Sequence, residues 1–186
     1  MYKQLILASQ SPRRRELMAL CEIPFTIVNP QVDETLSTDI PLEQAVTDLA
    51  MRKAQEVFAK HPDSVVIGAD TIVVIDGEVL GKPVEAPVAI EMLRKLSGRK
   101  HQVVTGVCVI GPGSTESFHS VTEVEFYELN EEQIKKYVDS KVCLDKAGAY
   151  GIQDKGALFI KGIIGDYYTV MGLPIARVYQ SLKKFL

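Results

Sequence analysis

Short apolar runs alternate with longer stretches of helical spacing along the whole chain. Leu5-Ile6-Leu7-Ala8 reads as a strand that stops at Ser9-Gln10-Ser11-Pro12, and Leu17, Met18 and Leu20 then recur at helical spacing over 13–21. Phe25-Thr26-Ile27-Val28 predicts a second strand, followed by a polar, irregular loop over 29–41. Leu42, Ala45, Val46, Leu49, Ala50, Ala54, Val57 and Phe58 predict a long amphipathic helix over 41–60, with Arg52, Lys53 and Lys60 on its other face. Val65-Val66-Ile67 predicts a buried strand that breaks at Gly68-Ala69 and delivers Asp70 and Thr71 at its end. Ile72–Ile75 and Glu78–Leu80 flank Asp76-Gly77, a hairpin signal, and Gly81-Lys82-Pro83 follows.

The second half continues the alternation. A helix is expected over 88–96, closed by Ser97-Gly98, then two long strands over 102–110 and 117–127 joined by a turn at 111–114. Asn130 and Gln133 form a capping-box pair for a helix over 130–139. A strand over 158–164, a turn at Gly165-Asp166 and a terminal helix opened by Gly172-Leu173-Pro174 complete the pattern. The order of elements predicts an α/β fold, with residues 1–186 as a single domain lacking repeats and linkers.

Composition narrows the chemistry. The chain has 186 residues, 46% hydrophobic and 24% charged, with a net charge of -3, so no global basic field favours nucleic acid or an anionic membrane surface. Any anion site must be local. Cys21, Cys108 and Cys143 are far apart and odd in number, which indicates neither a disulfide framework nor zinc and fits a reducing compartment. Met1-Tyr2-Lys3-Gln4 leads into a polar loop after only a few apolar residues, so a cytoplasmic protein without a secretory leader is expected.

Candidate site residues fall in the loops. Ser11 suits an N-cap and Pro12 a first helical turn, so the Ser9–Pro12 loop presents free amides beside Arg13, Arg14 and Arg15. That arrangement suits an anion, although a capped helix with a solvated basic turn has the same signature. Asp70 suits a ligand site at a strand end or a simple turn cap. Lys53 reads as a solvated lysine of the helix or as a functional cation, and Lys82, held between glycine and proline, as a positioned cation. The glycines of Asp145–Gln153 allow either close backbone approach to a ligand or plain turns. His119 reads as a strand surface residue. Acidic oxygens at Asp33, Glu34 and Asp70 together with these cations suggest metal-assisted phosphate chemistry, without specifying which bond breaks.

Several longer motifs then go beyond spacing. Leu7–Arg14, Val32-Asp33-Glu34, the Lys53 helix, Gly68-Ala69-Asp70-Thr71, Gly81-Lys82-Pro83, Ser97-Gly98, Asp145–Gln153 and Gly172-Leu173-Pro174, in that order, resemble the Maf family of nucleoside triphosphate pyrophosphatases over essentially the whole chain. The resemblance implies an elongated mixed β-sheet with flanking helices and two lobes around a central cleft, related to the inosine triphosphate pyrophosphatases. It implies hydrolysis between the α and β phosphates, with a divalent cation, Mg²⁺ or Mn²⁺. Arg13, Thr71 and Gln153 match the branch acting on dTTP and UTP, where the branch acting on 7-methyl-GTP would carry tryptophan, glutamine and glutamate. By the same resemblance Asp70 is the proton acceptor; to it we add Glu34 as an expected metal ligand with Asp70 sharing the metal, and Ser9, Arg14, Lys53 and Lys82 as expected phosphate contacts. The family is also associated with arrest of septum formation, which implies a competing reading as a nucleotide-binding regulator. A general phosphatase is a third. No nucleic-acid or membrane partner is expected, and an elongated exposed sheet leaves room for a homodimer.

Overall fold

A computed structural model describes residues 4–186. The first three residues, on which the reading of a leaderless start rests in part, lie outside the described residues. The chain divides into two compact units, one of residues up to Asp70 with Thr105–Ser120 and Gly172–Leu186, the other of Thr71–Val104 and Val121–Met171. Seven strands form one mixed sheet flanked by helices.

In the first unit, strand β1 (Leu5–Ala8) pairs in parallel with both β2 (Phe25–Ile27) and β3 (Val65–Ile75). Strands paired on both edges and buried on both faces carry continuous apolar runs. Leu5, Ile6, Leu7 and Ala8 are indeed all buried. Helix α1 (Pro12–Ala19) follows β1, and α2 (Leu42–Lys60) precedes β3. Ala50, Ala54 and Val57 of α2 pack with Ile6, Ala8, Val66, Cys108 and Ile110 into one core.

Strand β3 corrects the sequence expectation. It runs unbroken through Gly68-Ala69, so Asp70 sits inside an eleven-residue strand rather than at its end. The glycine is there for packing: a Cβ on Gly68 would lie 2.3 Å from the Ala50 carbonyl oxygen and 2.8 Å from the Ala54 nitrogen. At Gly106 a Cβ would likewise lie 2.6 Å from the Val46 carbonyl oxygen. Two glycines thus let α2 lie with its backbone almost against the sheet.

The second unit holds β4 (Glu78–Leu80), α3 (Ala86–Leu96), α4 (Glu131–Asp139), β7 (Ile160–Ile164) and α5 (Tyr167–Met171). Strands β5 (Lys100–Gly111) and β6 (Ser114–Phe126) are joined by Pro112-Gly113, and the sheet order is β2-β1-β3-β5-β6-β7, with β4 pairing β3. The Asp76-Gly77 hairpin forms as expected, with φ of 53° and 77° and Ile75 opposite Glu78. The capping box forms too: Gln133 N–H donates to Asn130 Oδ1 at 2.9 Å and Asn130 N–H to Gln133 Oε1 at 3.0 Å. Val73, Leu93, Phe126, Ile134, Tyr137 and Phe159 lie in this unit's core.

Other boundaries shift for local reasons. α3 begins at Ala86, with Pro87 in its first turn. Leu158 and Phe159 belong to a 3₁₀ turn, Lys155–Phe159, because Asp154 caps it by accepting from Gly156 N–H at 2.7 Å; β7 therefore starts at Ile160. Asp166 Oδ2 accepts from Thr169 N–H at 2.6 Å, and this cap turns the expected simple loop into α5. The terminal helix, α6, is Ile175–Leu182. Among the described residues no helix is long and apolar enough to cross a membrane.

Candidate functional site

The loop leaving β1 is built around one serine and one arginine. Ser9 is buried, and its Oγ accepts from Ser11 N–H at 3.2 Å and from Arg14 Nη1 at 3.4 Å. Ser11 is the N-cap of α1, its Oγ accepting from Arg14 N–H at 3.4 Å. Arg14 Nε donates to the Gly172 carbonyl at 2.7 Å, which anchors the side chain of the third residue of the helix. Burial lowers the Arg14 pKa, the charges of Asp70 and Glu34 oppose that fall, and neighbouring Arg13 adds to it. The field of both carboxylates therefore reaches this loop.

Lys53 supplies the centre. It is 6% exposed, which corrects its assignment to the solvated face of α2. The reason was in the spacing: Leu49, Lys53 and Val57 succeed one another every four residues, so the lysine stands in the buried stripe. Its Nζ lies 2.8 Å from Asp70 Oδ1 and 2.7 Å from Glu34 Oε1. Close packing at Gly68 explains the first contact. It brings the backbone around Ala54 against β3 just two residues before Asp70, and a lysine side chain spans the remaining distance.

Glu34 reaches Lys53 from the irregular loop, which α2 itself ties down. Arg52 Nη2 donates to the Thr35 carbonyl at 2.8 Å, its Nη1 donates to the Asp33 carbonyl, and Gln31 N–H donates to Glu56 Oε2 at 3.3 Å. Asp33 separates from its neighbour here. Its Oδ1 accepts from the Thr35 hydroxyl at 2.7 Å and from Thr35 N–H at 2.9 Å, which holds the carboxyl below its ordinary range and makes it a loop cap.

The remaining expected site residues belong to the second unit. Thr71 follows Asp70 in β3, and Lys82 is exposed in the segment after β4. The Gly81 carbonyl accepts from Gly148 N–H at 3.1 Å, so this segment is bonded to the Asp145–Gln153 stretch. Gly148, at φ 68°, lies against Val73, where a Cβ would stand 2.9 Å from a Val73 methyl. Here close approach serves packing within the protein. Gln153 is exposed on a turn whose neighbours Gly151 and Ile152 are buried. The sequence reading missed what holds that turn, namely Tyr137, Asp154 and Lys146. A buried tyrosine on a helix carries no motif that announces its partner.

Among the described residues no three His, Cys, Asp or Glu side chains group to hold a metal. Glu34 and Asp70 converge on one ammonium, however, and Mg²⁺ is commonly held by one or two carboxylates with substrate phosphates completing the shell. The donor set fits such an ion. His119 is an exposed strand residue, as expected.

A mixed α/β fold with an arginine-bearing loop–helix start beside a lysine shared by two carboxylates defines a protein equipped for phosphate-bearing ligands. The chain belongs to the Maf family, since the model described as "Maf-like protein" matches residues 4–185. It is similar to the dTTP/UTP pyrophosphatase of Bacillus velezensis, 52% identical with 100% of this chain and 98% of that protein covered. It is also similar to the dTTP/UTP pyrophosphatase of Bacillus cytotoxicus, 50% identical over 98% of this chain and 96% of that protein. The solved Staphylococcus aureus Ham1 protein overlaps in part, covering 67% of this chain and 72% of its own, at 21% identity and a TM-score of 0.48.

Proposed function

We propose that this chain hydrolyses dTTP and UTP to the nucleoside monophosphate and pyrophosphate. The observation that carries the reading is the Lys53 ammonium shared between Glu34 and Asp70, with the charge of both carboxylates felt at Arg14. Supporting it are relatives at about half identity over the full chain that bear that name.

In this reading, Arg14 and the Ser9 hydroxyl hold phosphate oxygens at the start of α1, and Lys53 and Lys82 neutralise charge along the triphosphate. Asp70 accepts a proton from a water whose oxygen bonds to the α-phosphorus. The bond from that phosphorus to the bridging oxygen breaks, and pyrophosphate leaves with its electron pair. Glu34, with Asp70 sharing, would hold Mg²⁺ or Mn²⁺, which when bound polarises the phosphoryl group and offsets developing charge. Arg13, Thr71 and Gln153 select the base. Gln153 offers both a donor and an acceptor to a pyrimidine edge. Residues 1–186 act as one functional domain in the cytoplasm.

The test is incubation of the protein with dTTP, UTP, CTP and 7-methyl-GTP plus Mg²⁺ or Mn²⁺, with products separated by chromatography. Monophosphate and pyrophosphate from dTTP and UTP, lost on chelation, are expected. Orthophosphate as first product would replace the reading by a general phosphatase, and binding without turnover under every metal would replace it by a regulator.

A further inference from the structure

One phenol closes both ends of the turn that carries Gln153. Tyr137 Oη accepts from Gly151 N–H at 3.1 Å and donates to Asp154 Oδ1 at 2.9 Å. Asp154 Oδ1 also accepts from Gly156 N–H at 2.7 Å, while Oδ2 stands 3.5 Å from the Lys146 ammonium. Lys146 is buried and held in turn by Asp145 Oδ1 at 2.8 Å and by the Val142 carbonyl. Space inside the turn is used up: a Cβ on Gly151 would lie 2.3 Å from Asp154 Oδ2 and 2.8 Å from Lys146 Cε. Tyr137 itself cannot swing. It is 4% exposed on α4, its ring stacks edge-on to Phe159 with centroids 5.0 Å apart, and the capping box fixes the start of its helix. Burial pushes the phenol pKa up, so the hydroxyl keeps the proton it donates.

We propose that Tyr137 is the positioning residue of the base-reading turn, its hydroxyl tying Gly151 to Asp154 so that Gln153 is presented in one orientation to the pyrimidine. The proposal rests on the reading of Gln153 as a base contact given above. A hydroxyl that only helped the fold would be interchangeable with any equally stabilising core contact. One that orients Gln153 acts on substrate binding specifically, because a base contact made equally in ground and transition states moves KM and leaves kcat.

The experiment compares the full chain with Y137F, D154A and D154N, and with I134V, a buried control on the same helix. Y137F, which removes both hydrogen bonds of the phenol, should raise KM for UTP and dTTP about tenfold, with kcat within about twofold. D154A should do the same while leaving the Tyr137 ring in place, and D154N, which keeps an acceptor at the same place, should restore most of the affinity. Amide hydrogen exchange at Gly151–Gly156, read without nucleotide, should quicken in Y137F and D154A but not in I134V. A KM in Y137F no higher than in I134V at equal loss of melting temperature overturns the proposal, as does unchanged exchange. Absence of turnover in the unmodified chain, or an unaltered KM in Q153A, strikes instead at the functional reading, and the exchange comparison then decides alone whether Tyr137 fixes the turn.

Discussion

Lys53 Nζ stands 2.8 Å from Asp70 Oδ1, with both side chains largely withdrawn from solvent, at 7% and 16% exposure. The same ammonium reaches Glu34, whose side chain is 61% exposed, so the partnership with Asp70 is less screened and carries more of the interaction. In the proposed reaction Asp70 takes the proton of the attacking water, and Lys53 offsets the charge that builds up on the phosphoryl oxygens. Asp70→Asn keeps an acceptor for the lysine but cannot take the proton. Turnover should fall by about a thousandfold or more while binding of a non-hydrolysable nucleotide stays within about threefold. Turnover like that of the unmodified chain would remove Asp70 from this role.

Gly68 is the structural condition for that contact. An alanine there would push its methyl to within 2.3 Å of the Ala50 carbonyl and 2.8 Å of the Ala54 nitrogen, both backbone atoms of α2 that cannot move alone. Gly68→Ala should destabilise the protein by about 3 kcal/mol in urea unfolding and displace α2 with Lys53. Activity measured well below the unfolding midpoint should therefore fall as well. Full activity in a folded G68A protein would separate the glycine from the site.

These two residues also show how far the sequence could be read. The strand, the helix and the carboxylate were all visible in periodicity, and the motif order pointed to the family. Gly68 suggests a break in sequence because a glycine after an apolar run has the same appearance whether it bends a strand or admits a helix. Only the packed partner distinguishes the two. The charge of Lys53 suggests the wet face, whereas its spacing, with Leu49 and Val57 four residues to either side, puts it in the buried stripe. Composition and spacing present Asp33 and Glu34 alike as acidic loop residues, and the Thr35 hydroxyl, a local contact to Asp33, separates them. Tyr137 lies fourteen residues before Gly151, and no pattern on a helix reveals which turn it will bond.

A buried histidine predicts a pH dependence of stability. His101 is 3% exposed, its Nε2 is 2.8 Å from the Tyr150 hydroxyl, and its Nδ1 has no hydrogen-bond partner among the described residues. Burial pulls its pKa down from 6.5 to about 4. The unfolded chain thus binds a proton at this residue that the folded chain refuses between those values. Stability is fully present above pH 6.5 and is lost as the pH falls through the window to about 4, by about 3 kcal/mol for this group. His101→Phe loses the Tyr150 hydrogen bond at every pH but should flatten that part of the slope. Urea unfolding of both proteins at intervals from pH 4 to pH 7 checks this, and identical slopes would contradict it.

Gln153 gives the sharpest test of base selection, because it is exposed and its replacement should not disturb the fold. Its amide can donate and accept at once, whereas the glutamate of Gln153→Glu only accepts when ionised. A pyrimidine that needs a donor from this position loses it and meets a negative charge instead. The kcat/KM for UTP and dTTP should fall about thirtyfold, a change of about 2 kcal/mol, with most of it in KM. The melting temperature should not move. The comparison that matters is the ratio across nucleotides: a guanine edge is rich in donors, so 7-methyl-GTP should gain relative to UTP in the variant. Equal losses for all four triphosphates would mean that the added charge repels the phosphates and that Gln153 does not read the base.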